Sequence, residues 1–98
     1  MEIKKDLSSG KAVIYISGEI DSTNSGDFEI QLKDAVNGEE KATLDLSALE
    51  YVSSAGLRVF LMVQKIFGRG DNLIITGANE EVMDIFEVTG FSKLLNLK

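Results

Sequence analysis

Three β-branched runs alternate with three helix-period segments along this chain, and that order limits the fold more than any other feature. The runs are Lys11–Ser17 (KAVIYIS), Ala42–Leu46 (ATLDL) and Asn72–Thr76 (NLIIT). The first helical segment carries Phe28, Leu32, Ala35 and Val36 at helical spacing; Asp21-Ser22-Thr23-Asn24-Ser25 offers capping residues before it and Asn37-Gly38 ends it. The second and longest is Ser54–Phe67, stopped by Gly68-Arg69-Gly70. The third is Glu80–Val88, with Val82, Ile85 and Phe86 expected inward and Gly90 just past its end; Phe91–Leu95 adds a last helical turn. Ahead of them Met1–Leu7 reads as an edge strand, with Lys4 and Lys5 on it, joined through Ser8-Ser9-Gly10 to the first β-branched run as a hairpin. Strand–helix alternation of this kind predicts parallel strands joined by right-handed crossovers. The expected fold class is α/β: an N-terminal hairpin, then alternating β and α elements, giving a mixed, mainly parallel sheet of four to five strands with helices packed against it. In such a sheet, loops leaving the C-terminal ends of the strands share one edge, where sites form. Asp21 and Asn24, Ser53 and Ser54, and Gly77-Ala78-Asn79 are therefore expected together.

The chain has 98 residues, which suits one domain over residues 1–98. It has no apolar run of membrane-spanning length and no signal-peptide pattern, so it is expected in the cytoplasm without membrane insertion. With no Cys and no His it lacks thiolate metal sites and the commonest general base. A net charge of −6 argues against direct binding to a nucleic-acid backbone, which requires a basic patch. The charges are interspersed along the chain, which is the pattern of a solvated surface.

The segment Glu50–Phe60, EYVSSAGLRVF, places two hydroxyls directly before an apolar helix. A hydrolase serine needs an adjacent base, and neither a histidine nor a Ser-x-x-Lys spacing supplies one. Gly56 stands alone, without a phosphate-cradling glycine pattern. Asp21 and Asp45 form at most a weak carboxylate pair near one edge, since acids in strand-to-helix loops are usually caps. Either Ser53 or Ser54 can cap the helix. A cap uses one hydroxyl, and a second at a helix mouth can accept a phosphoryl group, whose charge the helix dipole and free N–H groups tolerate. At 100° per residue, Val59, Phe60, Val63, Ile66 and Phe67 should face the sheet. Ser54, Arg58, Leu61, Met62 and Lys65 should face solvent, with Leu61 and Met62 either covered by neighbouring elements or forming an apolar docking patch. Arg58 is either a solvated charge or a holder of phosphate or of a partner carboxylate.

Three ordered motifs span the chain: Gly18-Glu19-Ile20-Asp21 with Asn24; Asp45-Leu46-Ser47 with Val52-Ser53-Ser54-Ala55-Gly56-Leu57; and Val88-Thr89-Gly90-Phe91. Together they resemble the STAS domains of bacterial anti-sigma factor antagonists. The resemblance implies a STAS-like fold and a non-enzymatic regulator without cofactor or metal. It implies a partner that is both anti-sigma factor and serine kinase of the histidine-kinase-like ATPase superfamily, and a metal-dependent serine phosphatase that reverses its action. Aligned on Gly56, the family's phosphorylated serine falls on Ser54, with Ser53 as the alternative; Asp21 matches an aspartate that assists partner binding. The partner-binding set expected is Asp21, Asn24, Ser53, Ser54, Gly56, Arg58, Leu61 and Met62, on a monomer. The family's aspartate before the phosphoserine is Ser53 here, and its second hydroxyl is Ala55. The same resemblance also covers STAS scaffold or sensor subunits of stressosome-like or transporter-associated assemblies.

Overall fold

The computed structural model describes residues 1–68 and 70–98; Arg69, part of the expected Gly-Arg-Gly stop, lies outside the described residues. The elements in chain order are β1 (Glu2–Asp6), β2 (Ala12–Ile20), α1 (Ser25–Val36), β3 (Ala42–Val52), α2 (Ser54–Phe67), β4 (Leu73–Thr76), α3 (Glu80–Val88) and a 3-10 turn (Phe91–Lys93). The strand order is β1-β2-β3-β4, with β1 antiparallel to β2 and the other pairs parallel. Gly10, at φ +82°, closes the hairpin by donating to the Leu7 carbonyl at 3.1 Å.

Each parallel strand adds on the same side of the last one, so right-handed crossovers put every helix on one face of the sheet. The core confirms this. Phe60 of α2 meets Phe28 of α1 at 5.3 Å and Phe86 of α3 at 6.0 Å between ring centroids, both edge to face. Beneath these rings lie Ala12, Ile14, Ile16, Leu44, Leu46, Leu73 and Ile75, all buried. The alternate strand positions, among them Lys4, Tyr15, Asp45 and Thr76 in lateral register, emerge on the face without helices.

Two strands outrun their β-branched runs. β2 continues beyond Ser17 to Ile20, and β3 beyond Leu46 to Val52. The cause lies in β3. Its register with β2 slips by one residue between Tyr15↔Asp45 and Ser17↔Ala48, and again between Gly18↔Leu49 and Glu19↔Tyr51. Each bulge inserts one unpaired residue. The buried positions of β3 therefore run Leu44, Leu46, Leu49, Val52, stepping by two and then by three. A strict period-2 pattern ends at Leu46, although the strand does not.

The inward stripe of α2 is Gly56, Leu57, Val59, Phe60, Val63 and Gln64. Ile66, expected inward, is 63% exposed. It sits in the last turn of α2, one residue from its end at Phe67. Met62, expected on the solvent face, is half-buried and packs against the core, as a long unbranched thioether can. Ile85 is half-buried against the core beside the fully buried Val82 and Phe86. Gln64 anchors the chain's last segment: its Oε1 accepts from Asn96 N at 3.0 Å, and its Nε2 donates to the Gly68 carbonyl at 3.0 Å. That segment bridges β4 in parallel through Ile75↔Leu97, so the sheet has four strands and the start of a fifth pairing.

Candidate partner-binding edge

The C-terminal ends of β2 and β3 finish side by side. Ile20 pairs with Val52, and Ser53 N donates to the Ile20 carbonyl at 2.8 Å. The loop after each strand therefore starts from the same point, although Asp21 and Ser53 are far apart in sequence.

The first loop is organised by two side chains. Asp21 Oδ1 accepts from Thr23 Oγ1 at 2.6 Å, Thr23 N at 2.9 Å and Asn24 N at 3.3 Å. Asn24 occupies the N-cap position of α1 but makes no side-chain cap. Its amide turns back instead: Oδ1 accepts from Asp21 N at 2.9 Å and Nδ2 donates to the Glu19 carbonyl at 2.9 Å. The loop is thus closed on itself, and Asp21 is held half-buried at the rim. Thr23 is the contributor that the sequence reading missed; the Asp-x-Thr spacing of a side-chain turn was the available signal.

The hydroxyl of Thr23, and then its amide, hold the Asp21 carboxyl below its ordinary value of 3.8. A carboxyl lowered in the folded state contributes stability that is complete above its unfolded pKa and vanishes as pH falls through its folded pKa. Asp21→Asn is therefore expected to flatten the stability–pH profile only in the acid window below about pH 4. Urea midpoints measured from acid to neutral pH check this; an unchanged acid slope would refute it. Asp6, lowered by the Ser8 amide and hydroxyl, keeps its own share of that slope.

At the second loop the two serines separate. Ser53 is the N-cap of α2, with extended backbone, and its Oγ accepts from Gly56 N at 3.3 Å. Ser54 is the first helical residue; it is exposed, and its hydroxyl bonds to none of the described residues. The first turn of α2 contains no acidic side chain. Its free N–H groups and dipole therefore face outward with no counter-charge supplied by the helix's own first turn. Gly56 is buried, so it serves the edge by packing and not as contact surface. A Cβ there would lie 2.7 Å from both Ile20 Cγ2 and Val52 Cγ2.

Arg58 is exposed one turn along from Ser54. Leu61 is half-buried in a shallow cleft with Lys65 and Leu94. Asp21, Asn24, Ser53, Ser54 and Gly56 are thus brought together, Arg58 and Leu61 continue the surface along α2, and Met62 is half-buried against the core.

The third loop is set back. β4 ends at Thr76, opposite Asp45, while β3 runs on to Val52. Gly77, at φ +80°, lies where a Cβ would sit 3.2 Å from Asp45 Oδ1 and from Ser47 N. Asn79 caps α3 by accepting from Val82 N at 2.9 Å, and its Nδ2 donates to the Leu49 carbonyl at 3.1 Å. That bond satisfies a bulged carbonyl beyond the reach of β4. Asp45, expected near Asp21, is opposite Tyr15, five residues before the end of β2 and about 15–20 Å from the rim. Its Oδ1 accepts from Ser47 N and Oγ. The two aspartates do not form a pair.

With no histidine or cysteine in the chain, neither serine has the commonest activating base beside it. The family model described as "Mlab, STAS domain" matches residues 3–96. The chain belongs to the STAS-domain family of anti-sigma factor antagonists. It is 34% identical over 93 residues to a Bordetella bronchiseptica protein named as an anti-sigma factor antagonist, BtrV, covering 93% of this chain and 80% of that protein. The crystal structure of an anti-sigma factor antagonist from Mycobacterium paratuberculosis superposes with a TM-score of 0.85 at 23% identity, over 98% of this chain and 83% of that one. The Bacillus cell-fate determinant SpoIIAA, solved in its phosphorylated form, superposes with a TM-score of 0.63 at 14% identity, over 99% of this chain and 91% of that one. STAS proteins of this family are regulatory binding proteins rather than enzymes. Among the described residues, no helix of this STAS chain is long and apolar enough to cross a membrane.

Proposed function

We propose that this STAS domain is a cytoplasmic anti-sigma factor antagonist, switched by phosphorylation of Ser54. Docking on an anti-sigma factor that is also a serine kinase frees a sigma factor; the kinase modifies Ser54 and a metal-dependent phosphatase restores it. The supporting observation is the division between the serines: Ser53 is engaged as a cap, while Ser54 is exposed and unengaged, just past the strand end that pairs with the one leading to Asp21. A phosphoryl group on Ser54 would bring a charge of about −1.5 to −2 to a rim that already holds an ionised Asp21. The helix N-terminus accommodates that charge without unfolding, while a docked partner loses its fit. Asp21, Asn24, Arg58 and Leu61 complete the contact surface.

Ser54→Asp is expected to keep the wild-type circular dichroism and to weaken anti-sigma factor binding at least about tenfold, or about 1.4 kcal/mol. The check is affinity capture from native lysate with wild type, Ser54→Asp and Ser53→Ala, read by quantitative mass spectrometry. A kinase-like ATPase retained by wild type and Ser53→Ala and lost by Ser54→Asp is the expected result. Equal retention by wild type and Ser54→Asp would overturn the switch. It would favour a second reading, a STAS scaffold or sensor subunit of a larger assembly, which draws support from Ser53 standing where the family pattern has aspartate.

A further inference from the structure

The second bulge of β3 turns an aromatic side chain outward. Leu49 and Val52 are buried, while Glu50 and Tyr51 between them both face solvent, Tyr51 at 45% exposure. The chain has two tyrosines, and the other, Tyr15, is 41% exposed. Of its five phenylalanines, Phe28, Phe60 and Phe86 are fully buried and Phe67 and Phe91 half-buried. Strand propensity alone would be met equally well by Thr or Val at position 51.

Tyr51 has a specific neighbour. Its register partner on β2 is Glu19, also exposed, and the next pair, Ile20 and Val52, is buried. The phenol ring and the Glu19 carboxylate therefore leave the helix-free face from adjacent strands, about 4.8 Å apart at the backbone. Immediately beyond them Ser53 N closes the edge on Ile20. Glu50 is exposed on the other side, lining a shallow depression with Asn79, Glu80 and Glu81. An apolar partner surface laid over Tyr51 would strip water from Glu19 without replacing it, which is costly. A guanidinium satisfies both requirements: its plane stacks on the ring and its fork pairs with a carboxylate.

We infer that Tyr51 and Glu19 form a receptor for an arginine side chain of the protein that docks on the Ser54 edge. The receptor rests on that docking reading and adds its chemistry: the partner presents arginine to the helix-free side of the rim while α2 is engaged on the other side. Tyr51 then acts as an interface anchor that selects partners by charge.

The test uses p-benzoylphenylalanine placed either at Tyr51 or at Arg58 in native cells, with crosslinked peptides mapped by mass spectrometry. Both positions are expected to capture the same anti-sigma factor, with the Tyr51 adduct adjoining an arginine. Against that captured protein, Tyr51→Phe is expected to bind within about twofold of wild type, and Tyr51→Leu and Glu19→Gln about three- to fivefold more weakly. Capture from Arg58 alone, or wild-type affinity of Tyr51→Leu, overturns the receptor and leaves the Ser54 edge standing. Capture from neither position overturns both.

Discussion

Phe60→Ala is expected to destabilise the fold by about 3–5 kcal/mol, a large share of the roughly 5–15 kcal/mol that holds a domain of this size together. The ring is fully buried and is the only one touching both Phe28 and Phe86 among the described aromatic contacts. Removing it vacates the point where all three helices meet above the sheet. The rings on either side belong to separate helices fixed by their own strand connections, so neither can close the gap without shifting a whole element. Denaturant unfolding checks this through the midpoint at unchanged slope. A loss below about 1.5 kcal/mol would mean that the core repacks freely, contrary to the close packing expected of interiors.

Gly56→Ala is expected to destabilise by about 2 kcal/mol, although Gly→Ala inside an ordinary helix gains about 0.5–1 kcal/mol. The added methyl would lie 2.7 Å from Ile20 Cγ2 and 2.7 Å from Val52 Cγ2. Those atoms belong to the strand ends that carry both loops of the edge, so the start of α2 must lift. Removing one obstacle should recover part of the loss. Gly56→Ala with Val52→Ala is expected to cost less than the sum of the single changes. Additive costs, or a stabilised single variant, would show that the close approach imposes no constraint. Hydrogen exchange at the Ser53–Leu57 amides separates local lifting of the helix from global unfolding.

The order of elements was legible because both hydrophobic periods are clear: β-branched runs in the strands and inward stripes such as Phe28, Leu32 and Val36. Two of the helices, Ser54–Phe67 and Glu80–Val88, have in the structure the bounds that the residues indicate. The length of β3 was not legible. Its two bulges change the spacing of buried residues from two to three, which looks like loss of pattern in a linear reading. The bulges depend on partners that only folding supplies: Asn79 bonding to the Leu49 carbonyl and Gly77 fitting against Ser47. Ile66, expected inward, is exposed for a related reason. Angular position on α2 fixes a direction from the helix axis, while burial depends on where the sheet and neighbouring helices end.

By itself, the sequence determined the α/β class, the parallel crossovers, the meeting of the Asp21 and Ser53 loops at one edge, and the absence of a histidine or cysteine to activate a serine there. These follow from local periodicity, connection handedness and residue inventory, none of which requires long-range geometry. Only the tertiary structure decided which serine is the cap, because the local pattern permits either hydroxyl and the choice depends on where the Ile20 carbonyl fixes Ser53. It alone showed Gly56 as a packing requirement, Asp45 as distant from Asp21, and Tyr51 turned outward beside Glu19. Each of these depends on contacts between residues far apart in sequence, whose register is set when the strands pair.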